Sequence, residues 1–172
     1  LLDRNGKVYA MRWSMCHDPK LQDEPTGLID PVLRSVGFIG GNNKPFAVMH
    51  FYASHPMAAY GRNMCSADVP GVALDYVGKH YGKNVHQIYF NGCGGNITFG
   101  KYSLECKEES LAMLGERLGR ELLANCQRLE PKSIGGISLK NSTFELPLKP
   151  ELNEKELLRR ISRAQNIGEK IV

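Results

Sequence analysis

The sequence predicts an α/β fold built as a mixed β-sheet with flanking helices. Two observations carry this. Strand-sized apolar runs at residues 32–39, 46–52 and 85–90 alternate with helical stretches, the order expected when helices cover a sheet. The run from Phe46 to Tyr52 is almost uninterrupted in its apolarity, which suits a central strand covered on both faces. Composition agrees. Of 172 residues, 42% are hydrophobic, an ordinary share for a packed core that argues against wholesale disorder. No run approaches the roughly 18 consecutive apolar residues that span a bilayer. The 22 Lys and Arg against 18 Asp and Glu leave a net charge of +4. No basic stripe interleaved with aromatics accompanies it, so nucleic acid is not an expected partner.

The elements follow in order. Asp3-Arg4-Asn5-Gly6-Lys7 is turn-like, and residues 8–13 read as the second arm of a hairpin. Residues 16–27 are polar, carry Pro19, Pro25 and Gly27, and read as a loop. A strand over 32–39 and one over 46–52 are joined by the turn cluster 40–45. A long loop covers 53–69. Asp68 followed by Pro70 suits the first turn of a helix running to about Lys79. Residues 80–84 turn, 85–90 form a strand, and a glycine-dense loop follows at 91–96. Leu111, Leu114, Leu118 and Leu122 recur at helical steps within a helix over 107–128, with Glu108 and Glu109 in its first turn. Residues 134–140 and 142–148 read as two strands. Residues 154–172 read as an amphipathic helix with no stop signal, and Leu1 is not an initiator Met. The chain is therefore read as a single partial domain, residues 1–172, and a piece of a longer protein.

Two loops stand out, because sites in α/β sheets collect beyond the ends of central strands. In the first, His55 leaves the strand and precedes Pro56, which restricts its backbone to extended geometry. Such fixity suits a metal ligand, and equally a histidine hydrogen-bonded at a strand end. His50 lies an odd number of residues earlier, so the two rings fall on opposite faces of an extended strand. The second loop contains Gly92, Cys93, Gly94, Gly95, Asn96 and Thr98. Its glycines allow close backbone approach to a ligand. It reads as an oxyanion or substrate cradle, as the seat of a Cys93 nucleophile, or as a tight structural turn. No GKS or GKT follows, which excludes a Walker loop. Ser66 and Asp68 read as helix caps or as site residues. Of the five cysteines, Cys126 falls on an apolar helix face. Cys16, Cys65, Cys93 and Cys106 fall in or near loops, and no CxxC pair marks a zinc knuckle.

Taken together, these segments resemble the neutral/alkaline, non-lysosomal ceramidase family, in its N-terminal catalytic domain and closest to the bacterial ceramidase-like proteins. The resemblance runs through Gly27-Leu28-Ile29-Asp30-Pro31, Lys44 to Met57, Ser66-Ala67-Asp68 and Phe90 to Thr98, and covers roughly residues 27–125. It implies a zinc-dependent amide hydrolase acting on an N-acyl linkage, as in sphingolipids. Ala53-Ser54-His55-Pro56-Met57 matches the family's Ala-x-His motif, so the resemblance makes His55 a zinc ligand. Gly95-Asn96-Ile97-Thr98-Phe99-Gly100 aligns with a Gly-Asp-Val-Ser-Pro-Asn loop. There Asn96 and Thr98 take catalytic places, with Thr98 keeping the serine's hydroxyl. Gly94, Gly95 and Asp68 become substrate-binding residues. Asn96, Phe99 and Gly100 depart from the family's pattern, and Arg12 does not match its substrate-contacting Arg. The remaining zinc ligands, a His upstream and a Glu and Tyr downstream, are expected outside this chain. The implied substrate is a small-molecule or lipid amide, with peripheral membrane contact and a secreted or periplasmic location. A non-catalytic ligand-binding domain that keeps only the fold is the alternative.

Overall fold

A computed structural model of the chain describes residues 1–164, apart from positions 14, 62, 64, 148 and 150–152. The chain divides into two compact units, residues 1–132 and residues 133–172. The first is a mixed α/β unit, as the sequence predicts. Its elements are helix α1 (Pro19–Asp23), strands β1 (Arg34–Ile39) and β2 (Pro45–Phe51), helix α2 (Asp68–Tyr81), strand β3 (His86–Phe90), a single 3-10 turn (Gly100–Tyr102) and helix α3 (Lys107–Gln127).

β2 is the middle strand. It pairs antiparallel with β1 across the turn at residues 40–44 and parallel with β3. The crossover between the parallel pair contains α2, the geometry a parallel connection requires. Register aligns Val36, Met49 and Ile88 across the sheet, with Arg34, Phe51 and Phe90 in another row. α2 and α3 pack on each other and against one face of the sheet. Gly115 and Gly119 allow their close approach: a Cβ on Gly115 would stand 2.5 Å from Val72 Cβ. Val48, Val69, Ala73, Val77, Leu118 and Leu122 form the centre of this core. Cys126 is buried among them, as its helical spacing predicts.

The other sheet face departs from expectation. Val36, Phe38, Ile88 and Phe90 remain 40–51% exposed, and the Phe51 and Phe90 rings stack with centroids 5.0 Å apart. Among the described residues β2 is covered on one face only. Three local expectations also change. Residues 8–13 form no strand. The Asp3 carboxylate takes the Asn5 and Lys7 amides and closes a turn. Only the bridge Leu2–Val8 pairs beyond it, and the Arg12 side chain then draws the chain toward the carbonyls of residues 21–25. The 16–27 loop contains α1, whose start is an Asp18 N-cap with Pro19 in the first turn. Cys16 lies in a loop before α1, as expected, and is buried there. α2 runs two residues past Lys79 and stops at Gly82, where φ is 139°.

In the second unit the described residues of 133–149 form no strand. Their alternating apolar side chains are open to solvent, with Ile137 and Leu139 both 85% exposed. A two-stranded ribbon without a covered face buries too little to hold itself together. Helix α4 (Glu154–Arg163) starts at Asn153, whose Oδ1 accepts the Glu156 amide at 2.9 Å. Residues 165–172 of the expected helix lie outside the described residues. No helix among the described residues is long and apolar enough to cross a membrane.

Candidate functional site

The two loops singled out by sequence meet. Beyond β2 the pairing with β3 continues irregularly: Tyr52 N donates to Phe90 O at 3.2 Å, and His55 N donates to Ile97 O at 2.8 Å. His55 and Thr98 form an isolated parallel bridge. The contact depends on glycine. A Cβ on Gly94 would stand 3.1 Å from the Ser54 backbone and 3.3 Å from His55 N. At that spacing the neighbouring backbone would have to move. Gly92 turns the chain at φ 62°, a conformation that favours glycine. Ser54 is buried at the junction.

The imidazole of His55 is exposed, and among the described residues no hydrogen bond occupies its ring. Thr98 is half-buried, and its Oγ1 accepts the Gly100 amide at 3.2 Å. Asn96 is exposed, and nothing lies within 4 Å of a Cβ built on Gly95. Asp68 opens α2 and reaches back to the loop that follows His55. Its carboxylate accepts the amides of Ala58 at 2.9 Å, Ala59 at 2.7 Å and Val69 at 2.7 Å. It thus ties the chain just beyond His55-Pro56-Met57 to the start of α2. Its own backbone holds φ at 50°, which Asp tolerates better than most residues. The N-cap position of α2 is Ala67, which makes no side-chain cap, and Ser66 Oγ just before it accepts the Asp68 amide at 3.0 Å.

Beside these loops lies a cleft of about 1240 Å³. Asn96 and Thr98 line it, together with Tyr52 and Ser54 at the end of β2 and Leu114 and Leu118 of α3. His55, Gly94, Gly95 and Asp68 lie outside its lining. Sequence reasoning missed three cations there, Arg12, Lys101 and Arg117. The helical step from Leu114 to Leu118 through Arg117 was the available signal. Cys93 is exposed and unbridged.

His50 has a separate fate. It is fully buried, with Ser35 Oγ 2.7 Å from Nδ1 and Gln87 Oε1 2.8 Å from Nε2. Asn125 Nδ2 extends the chain, donating to Ser35 Oγ at 3.1 Å. Both ring nitrogens are thus engaged, and the Ser35 hydroxyl can serve Nδ1 as donor or acceptor. Burial holds its pKa below the usual histidine value, outweighing the hydrogen bond to Gln87.

Zinc needs three or four protein donors. Among the described residues no three His, Cys, Asp or Glu side chains converge. His55 is one donor, and the described residues do not by themselves hold zinc. No protein-family model, curated protein or solved structure matches this chain.

Proposed function

We propose that this chain carries part of the site of a ceramidase-like, zinc-dependent amide hydrolase that cleaves an N-acyl linkage. In this reading His55 lends one imidazole to a metal whose other donors come from outside these 172 residues. The observation that supports it most is the bridge between His55 and Thr98. It brings an unengaged imidazole beside a glycine loop whose Asn96 and Thr98 line a large cleft. Donors fixed at a strand end can be aimed at a polarised carbonyl without reorganising during reaction. Asn96 has a side-chain amide to donate to the substrate carbonyl. Thr98 is a positioning residue, because its Oγ1 already accepts the Gly100 amide and shapes the turn. Gly94 lets this loop close on the Ser54–His55 backbone, and Gly95 beside it leaves open space in which a substrate can approach. A lipid amide as substrate, peripheral membrane contact and a secreted or periplasmic location belong to the same proposal.

One observation favours the alternative, a ligand-binding domain without chemistry: the Thr98 hydroxyl is committed to local structure. The intact protein decides between them when assayed with an N-acyl amide before and after chelation. Hydrolysis that chelator abolishes, zinc restores and thiol alkylation spares supports the zinc hydrolase. Chelator-insensitive hydrolysis lost on alkylation assigns the chemistry to a thiol, and to Cys93 where Cys93→Ala alone reproduces the loss. Saturable binding without turnover assigns the binder.

A further inference from the structure

The cleft has a chemical character that the hydrolase reading does not specify. Its apolar lining includes Leu33, Tyr52, Ile97, Phe99, Leu114 and Leu118. This wall is continuous with the core, since Leu114 and Leu118 are almost fully buried. Three cations share the lining with two carboxylates, Glu24 and Glu121. None of these five groups forms an ion pair among the described residues.

The cations are engaged by neutral partners instead. Arg12 donates to the carbonyls of Leu21, Glu24 and Pro25 at 3.0, 2.5 and 2.8 Å. Lys101 Nζ donates to Glu24 O at 2.7 Å. The Arg117 guanidinium sits 5.1 Å from the centroid of the Tyr102 ring, a cation–π contact that leaves its charge uncompensated. Carbonyls and an aromatic face orient these cations without cancelling their charge. An anion reaching the cleft therefore meets an excess of positive charge next to an apolar wall. Water is displaced most favourably there by a molecule with both properties.

We infer that the cleft binds a single-chain amphiphile with an anionic head, its hydrocarbon along the apolar wall and its charge toward Arg117 and Lys101. As a statement about substrate this rests on the hydrolase reading, and would make the substrate an N-acyl compound bearing a negative charge. As a statement about binding it needs no turnover. The head is a carboxylate or a phosphate, two sources of the same charge.

The test titrates the protein, below the micellar concentration, with dodecanoate, dodecyl phosphate and dodecyltrimethylammonium. Calorimetry follows binding. We expect saturable binding of at least one anion, about tenfold tighter than the cation, a difference of about 1.4 kcal/mol. The tighter of the two anions assigns the head. Arg117→Glu should weaken the anion about fivefold and strengthen the cation. This is the scale of a partly exposed charge contact. Arg117 is exposed on α3, and Arg117→Gln is the milder check should reversal disturb the helix. Equal binding of all three heads overturns the proposal, as does unsaturable binding, or indifference of the anion to both variants. Zinc and chelator enter none of these measurements, so their failure and failure of the hydrolase reading are separable.

Discussion

His50 and His55 are five residues apart on one stretch of chain, and the fold uses them in opposite ways. His50 lies inside β2, with both ring nitrogens engaged and no exposure. His55 lies past the strand's last residue, with its backbone held by Ile97 and its ring open. The same side chain is a core hydrogen-bonding group in one place and an available ligand in the other. The difference is where strand pairing stops. A fully paired, helix-covered position must satisfy its polar atoms internally. A residue held only by its backbone can present its side chain outward.

The largest expected effect comes from breaking the buried member. His50→Ala removes the ring, takes the imidazole partner from Gln87 and leaves Ser35 with Asn125 alone. It should cost about 3 kcal/mol, read as a lowered denaturant midpoint with an unchanged slope. An effect below about 1 kcal/mol would mean that this network contributes little.

The next effect concerns the support of the exposed member. Asn tolerates the left-handed backbone of Asp68 nearly as well as Asp, so Asp68→Asn isolates the carboxylate. Weakening its hold on Ala58 and Ala59 should cost about 2 kcal/mol and speed hydrogen exchange at those two amides. Unchanged exchange there would show that the loop beyond His55 is held by other contacts.

Acid provides a smaller, graded test. Burial lowers the folded-state pKa of His50 below the ordinary histidine value of about 6.5. Between those two values the unfolded chain binds a proton that the folded chain does not. Stability is therefore full above about pH 6.5 and falls as pH drops toward the folded pKa, by at most about 1.4 kcal/mol per pH unit for this one group. His50→Ala should flatten this stretch of the stability-versus-pH curve. Parallel curves for the two proteins would remove His50 as the cause.

Much of this contrast was legible in the sequence. The odd spacing of the two histidines separates their faces, and the apolar run identifies β2 as the middle strand. Leucines at helical steps locate α3 to within a residue. The signal fails where local pattern and tertiary cover part company. Residues 134–148 alternate as strands do, yet Ile137 and Leu139 meet solvent, and alternation forms a strand only with a surface to lie on. Residues 8–13 fail for the same reason, with a single bridge for a partner. The cover expected over both faces of β2 is present on one. In the site, sequence identified both loops, and their meeting through Gly94 became visible only in three dimensions. Asp68 was legible as an acidic residue opening α2. Its grip on Ala58 and Ala59 depends on a loop path that no periodicity encodes.

The exposed histidine separates stability from function most sharply. His55→Ala touches no packed ring and should cost under about 0.5 kcal/mol, leaving the thermal transition of the intact protein in place. The decisive measurement is zinc stoichiometry together with N-acyl amide hydrolysis in that variant. The account predicts that zinc content and hydrolysis are lost together while the fold is retained. Full zinc content and undiminished hydrolysis in a folded His55→Ala protein would contradict it.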